Sequence, residues 1–369
     1  MPVPVTVPAA APTRLDPAER AAIEAAIARV VAEGPWIGGP AVDQFESDFA
    51  NYLGAREVLG VANGTDALAL AFAALDLVPG SGILVAANEG GYAASAARQV
   101  GLEPIVMDID PDTLMPSVAT ASSGDDVRVA AVVVTHLHGD AVDVSRLDGW
   151  RRERGLRLIE DCAQATGLRV DGRHVGLTGD AATYSFYPTK NLGALGDGGA
   201  VVIADPEEAA RARSLAQYGW GERFRVELRG GRNSRLDPLQ AAILSARLPF
   251  LDRRNEARRE ISRRYRATVE PLARLYGDAA TTVAHHAVVI DHHVESLAHL
   301  LAGRGIQTAR HYPFLDNEMP GLAIRNSAPT PNANKLRDQS LSLPCFPELE
   351  PHEIDRVISV LEGWVSAHE

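Results

Sequence analysis

Of the 36 basic residues in this 369-residue chain, 34 are arginines, and one of the two lysines stands in a turn of small residues. That residue is Lys190, within TYSFYPTKNLGALGDGGA (183–200). A primary amine condenses with a carbonyl to form a Schiff base, which a guanidinium cannot do, and burial lowers an amine's pKa toward use as a base. An ordinary surface charge at this position would be expected to be arginine, like nearly all the others. Asp161 ends the strand-like run LRLIED (156–161). A carboxylate there is partly desolvated and needs a cationic or hydrogen-bonding partner, unless it merely caps the next segment of chain. Asn63-Gly64-Thr65, in VANGTDAL, separates a strand-like run from a helix-like one. Gly64 permits a tight turn, Thr65 can cap, and the first N–H groups of the helix face outward, an arrangement that suits a phosphate. Alone, it reads more readily as an ordinary capped helix start.

Together these three features specify one cofactor. Pyridoxal 5'-phosphate needs an amine for its aldehyde, a phosphate cradle and a carboxylate opposite its pyridinium nitrogen, which keeps the ring able to accept electrons from a forming carbanion. Other patterns carry less. GALGDGGA follows the lysine rather than a first strand, so its glycines are expected to allow a tight backbone turn rather than to bind a dinucleotide. His136 and His138 alternate along a strand and face opposite sides, which is poor metal geometry. The pairs His285-His286 and His292-His293 lack partner ligands at a recognisable spacing, so all of these read as structural and no metal is expected.

The elements that must position the three features can be read from periodicity. DPAERAAIEAAIARVVAEG (16–34) opens on an Asp-Pro cap and ends on glycine, which predicts a helix, and a second is expected over 40–54. Strand-like runs at 57–62, 82–87, 103–110, 127–136 and 156–161 then alternate with alanine-rich helices. That alternation implies an α/β fold with a mostly parallel sheet covered on both faces, and ligands beyond the carboxyl ends of its strands. Two further strands flank the lysine turn, near 180–185 and 200–204. A long helical stretch over 235–275 is expected to join this part to a smaller α+β domain, with a strand at 285–292 and a C-terminal helix at 350–368. The expected division is an extended arm (1–11), a large domain (12–245) and a small domain (246–369). Net charge is -12, and acidic residues interleave with the arginines of RRNEARREISRRYR (253–266). That argues against nucleic acid or an anionic membrane as partner. Two cysteines, no basic leader and no apolar run long enough to span a bilayer point to a reducing compartment, the cytoplasm.

The chain resembles the pyridoxal-phosphate nucleotide-sugar aminotransferases of the DegT/StrS group, which have the fold-type I architecture, over nearly its whole length. The resemblance is carried, in order, by GPWIGGPAVDQFESDFANYLG, VANGTDALALA, PIVMDIDPDTL, THLHGDAVD, LIEDCAQATG, SFYPTKNLGALGDGGAVV, GGRNSRLDPLQAAIL, RHYPF and LSLPCFPEL. It implies that Lys190 holds the cofactor as a Schiff base and that Asp161 holds the pyridine nitrogen. Gln164 approaches the ring hydroxyl, and Gly64, Thr65 and Ser185 bind the phosphate. Asn233 reaches the phosphate of a neighbouring subunit, which implies a homodimer with shared active sites. His311 and Tyr312 face the sugar substrate. Two departures stand out. The ring-stacking aromatic of the family lies about two positions from Tyr92, the aromatic available in NEGGYAASAA, and Tyr92 is assigned that role. FLDNEMPG lacks the histidine that often follows HYP in the family. A dehydratase branch replaces the lysine with histidine, and Lys190 argues against that branch. The implied reaction is transamination from glutamate to a keto-sugar carried on a nucleoside diphosphate. The alternatives are an aminocyclitol or other natural-product ketone as acceptor, or a regulatory protein that binds the cofactor without turnover.

Overall fold

The computed structural model describes residues 4, 6–122, 128–270, 272–277, 280–324 and 328–368. Parts of the expected arm (1–3 and 5), the expected strand start at Val127 and Pro271 of the long helical stretch lie outside them.

The chain opens with α1 (Pro17–Glu33) and α2 (Pro40–Leu53). Asp16 caps α1, its Oδ1 accepting from the N–H of Ala18 at 2.9 Å, and Pro17 takes the first helical position. The alternating part comes next: β1 (Leu59–Val61), α3 (Gly64–Ala74), β2 (Gly82–Ala86), α4 (Tyr92–Gln99), β3 (Glu103–Met107), α5 (Val118–Ala121), β4 (Val129–Thr135), α6 (Val144–Glu153) and β5 (Arg157–Asp161). A short ribbon, β6 (Arg169–Val170) and β7 (Arg173–His174), precedes β8 (Ala181–Ser185), β9 (Gly199–Ile203) and α7 (Pro206–Leu215). A second ribbon, β10 (Trp220–Glu222) and β11 (Arg225–Val226), leads into α8 (Pro238–Arg247) and α9 (Leu251–Val269). The remainder is β12 (Arg274–Leu275), β13 (Ala287–Ile290), α10 (Val294–Gly303), α11 (Pro331–Gln339), β14 (Ser340–Leu343) and α12 (Pro351–Ser366).

Seven strands form the main sheet in the order β1-β9-β8-β5-β4-β2-β3. The ladders joining β3, β2, β4, β5 and β8 are parallel, and β9 runs antiparallel to both β8 and β1. Successive residues of the strands pack into different cores, as a period of two requires. Ala181, Val201 and Ile203 join the cluster that contains α3, whereas Ala182, Tyr184, Ala200 and Val202 join the cluster of Phe45, Phe49 and Leu244. Burial on both faces explains why these strands are continuous apolar runs.

A three-stranded antiparallel sheet, β12-β13-β14, builds a separate core with α9, α10 and α12. Val7 of the arm is buried in that core and bridges to Ile306. The single helical stretch expected over 235–275 is two helices and a strand. Pro249 sits in a 3-10 turn (Leu248–Phe250) between α8 and α9, because a proline has no N–H to give and disfavours helical backbone before it. The expected division after residue 245 falls in the last turn of α8. Among the described residues no helix is long and apolar enough to cross a membrane.

Candidate active site

The carboxyl ends of β4, β5 and β8 and the turn from β1 into α3 meet at a cavity of about 670 Å³. Nine of the ten expected site residues line it: Gly64, Thr65, Tyr92, Asp161, Gln164, Ser185, Lys190, His311 and Tyr312. Asn233 does not; it is exposed on the surface.

Asp161 is the last residue of β5, and it is buried. Its Oδ1 accepts from the Ala163 N–H at 3.0 Å and from the Thr183 hydroxyl at 3.2 Å. Burial raises its pKa above the usual carboxylate value, opposed by the Ala163 N–H and by Lys190. Lys190 is half-buried, in a turn closed by its own N–H donating to the carbonyl of Tyr187 at 2.8 Å. Burial brings its amine down to about 8, with Asp161 pulling the other way. The pair is thus an amine that gives up its proton readily and a carboxylate with few other charges to neutralise it.

At the start of α3, the Asn63 side chain accepts from the N–H of Asp66 at 2.8 Å. The N–H groups of Gly64 and Thr65 belong to the first turn, where no intrahelical acceptor exists. A Cβ on Gly64 would lie 2.8 Å from the Ser185 Cβ, so the turn can approach β8 only because residue 64 is bare. The Ser185 Oγ accepts a long bond from the Tyr187 N–H, 3.4 Å, and its hydroxyl proton is left for another acceptor.

Another part of the lining comes from His311 and Tyr312, in the segment after α10. Gln164 accepts from the His138 N–H at 2.7 Å and donates through Nε2 to the Tyr312 hydroxyl at 2.9 Å. The Tyr312 ring meets Tyr92 edge-on at 6.0 Å, and it covers Gly90, where a Cβ would come within 3.0 Å of three ring atoms. His311 bonds through Nδ1 to the Ser342 hydroxyl at 2.9 Å and stacks on His286 at 3.8 Å.

Three groups on the cavity wall were not anticipated. His285 and His286, read as structural, face Lys190, and His285 is held by Asn191 at 2.9 Å. Burial drives both far below the usual histidine pKa, and burial with Lys190 brings His311 to about 4. Imidazoles therefore stand beside the amine as neutral groups. Glu89 is also on the wall, one carboxylate oxygen without a partner; burial, with Asp316 and Asp161 nearby, raises its pKa well above the usual range. A charged residue inside the apolar run VAANEGG was the available signal. His136 faces elsewhere: its Nδ1 accepts from the Val142 N–H, so Nε2 carries the proton it shares with Glu160 at 3.1 Å. Among the described residues no group of three or more His, Cys, Asp or Glu could hold a metal ion.

Residues 17–362 match the model of the DegT/DnrJ/EryC1/StrS aminotransferase family. The chain belongs to this family. A dTDP-3-amino-3,4,6-trideoxy-alpha-D-glucose transaminase of Micromonospora megalomicea subsp. nigra is 36% identical over 359 residues, covering 94% of this chain and 96% of the relative. A protein of the same description from Streptomyces venezuelae is 37% identical over 360 residues, with 94% and 92% covered. The crystal structure of S. venezuelae DesV in complex with a ketimine intermediate superposes with a TM-score of 0.89 at 36% identity, covering 94% of this chain and 95% of that one.

Family membership makes the chain a pyridoxal 5'-phosphate-dependent aminotransferase, and the donor set agrees. The bare turn at Gly64 with its first-turn N–H groups, the unspent hydroxyl of Ser185, and an amine sharing the cavity with a buried carboxylate are what that cofactor's three polar ends require.

Proposed function

We propose that this aminotransferase moves an amino group from an amino acid, glutamate in our reading, to the keto carbon of a deoxysugar linked to a nucleoside diphosphate. The observation that carries the reading is that the amine of Lys190, the carboxylate of Asp161 and the turn at Gly64 line one cavity. The two dTDP-sugar transaminases both act on a dTDP-linked 3-amino sugar by their descriptions, which favours carbon 3 of a dTDP-linked hexose here.

When bound, the cofactor supplies a ring that takes up the electron pair left as the donor's Cα–H bond breaks. Lys190, as a neutral amine, takes that proton and hands it on within the site. Asp161 keeps the ring nitrogen protonated. Gly64, Thr65 and Ser185 would hold the phosphate, Gln164 would meet the ring hydroxyl, and Tyr92 would stack on the ring. His311 and Tyr312 orient the sugar. Asn233, exposed in its own chain, completes the phosphate site of a second subunit in a homodimer. Net charge of -12 and the absence of a spanning helix among the described residues support a cytoplasmic enzyme that binds neither nucleic acid nor membrane.

The test is to convert the purified protein to its pyridoxamine form and mix it with a panel of keto-sugar nucleotides. A dTDP-linked 3-keto-6-deoxyhexose is expected to restore the visible absorbance of the aldehyde form and to gain the amine. No amination of any nucleotide-linked ketone would refute the acceptor assignment.

A further inference from the structure

A second, smaller cavity, of about 180 Å³, shares Thr189, Lys190, His285, His286 and His311 with the first and continues to α9 and the arm. Three buried guanidiniums line it: Arg247, Arg254 and Arg258. Two carboxylates answer them. Glu19 pairs with Arg247 at 2.7 Å and with Arg254 at 2.8 Å, and Glu348 pairs with Arg254. Three cations against two anions leave one positive charge over, and the geometry puts it on Arg258. This side chain is 4% exposed and has no carboxylate within ion-pairing distance among the described residues. Its Nη1 donates to the carbonyl oxygens of His285 and Cys345, and its Nε has no partner among the described residues. Burying an ion without a counter-ion is costly, and two carbonyl dipoles offset only part of that. The void beside it is far larger than the ~10–15 Å³ that one water needs.

We propose that this cavity is an anion subsite in which Arg258 receives the side-chain carboxylate of a dicarboxylic amino donor whose amino group is presented at Lys190. The proposal rests on the aminotransferase reading and assigns a residue of this chain to the second carboxylate of its donor. A planar guanidinium with free donors matches a carboxylate edge-on. The two cavities meet at Lys190, so a donor reacting at the amine can extend one end into the smaller. The acceptor, with its nucleotide, belongs to the cavity of about 670 Å³.

Glutarate carries both carboxylates and no amine, whereas pentanoate lacks the second carboxylate. Each is titrated into the cofactor-loaded protein by calorimetry, with Arg258→Gln and Arg258→Lys alongside. Glutarate is expected to bind about tenfold more tightly than pentanoate or better, the gain of a charge-assisted hydrogen bond. Arg258→Gln should erase the difference, and Arg258→Lys should keep part of it. Equal affinities in the unaltered protein overturn the proposal, whether or not the variants fold. Displacement of glutarate by thymidine diphosphate, without any loss of glutarate binding in Arg258→Gln, also overturns it. The pyridoxamine-form reaction with keto-sugar nucleotides is run in parallel. Its failure beside an intact glutarate preference rejects the acceptor assignment alone and leaves the carboxylate subsite standing.

Discussion

The amine of Lys190 matters because of its protonation state. Lowered to about 8 by burial, it is about one-tenth neutral at pH 7, against fewer than about one in a thousand for an ordinary lysine. Only the neutral form attacks an aldehyde. Uptake of the cofactor by the apoprotein should therefore quicken about tenfold per pH unit below 8 and level off above it. Stopped-flow absorbance measures this, and a rate still climbing at pH 10 would show that the amine is not held near 8. Lys190→Ala should abolish both the visible absorbance of the bound cofactor and all turnover. Asp161→Asn is a subtler change, because the side chain can keep its place by Thr183 and Ala163. Cofactor should still bind, but proton removal from the donor should slow by on the order of a hundredfold or more, the usual loss when a preorganised charge is removed. Single-turnover kinetics with deuterated donor separates that step from binding.

The elements explain why these residues meet. Parallel strands bring Asp161 and Ser185 to the same edge, and the β1–α3 turn arrives beside them with no side chain at residue 64. Gly64→Ala would force a Cβ to 2.8 Å from that of Ser185. The variant is expected to lose about 1–3 kcal/mol of stability by overpacking and to bind the cofactor at least about tenfold more weakly as the turn moves off its N–H geometry, read by thermal melt and by equilibrium dialysis. Much of this was legible in the sequence, because strand periodicity and the rule of carboxyl ends point to Asp161 and the turn without any contact information. The amine stood out by contrast with 34 arginines. Ser185, Gln164 and His311 carry no such local mark and came from resemblance. His285 and His286 carry no local mark of a cavity position either, since what brings them there is non-local. The Val283 N–H donates to the Gly139 carbonyl and the His286 N–H to that of His138, linking stretches well over a hundred residues apart. The break between α8 and α9 was in plain sight as Pro249, overlooked because helical spacing runs on either side of it.

At the scale of the molecule, the chain presents exposed apolar surface suited to the homodimer proposed above. The β10–β11 ribbon has two strands, too few to be stable alone, yet it presents Tyr218, Trp220 and Phe224 as a ring cluster with Phe224 75% exposed. Trp36 is 70% exposed. Asn233 stands on the same surface-lying segment, far from contributing to its own chain's cavity. If Asn233 serves a partner's phosphate site, damage to Lys190 and damage to Asn233 can be placed in different subunits and partly cancel. In a hybrid of Lys190→Ala with Asn233→Asp, one site collects both lesions and the other has neither. Co-expressed at equal levels, the two inactive parents should yield about a quarter of wild-type activity, because half of random pairs are hybrids with one intact site of two. If each chain completes its own site, every hybrid site carries a lesion and activity stays at the level of the parents. Trp36→Glu with Phe224→Glu should shift sedimentation toward the monomer and remove the complementation with it, which ties the shared site to this surface rather than to some other contact.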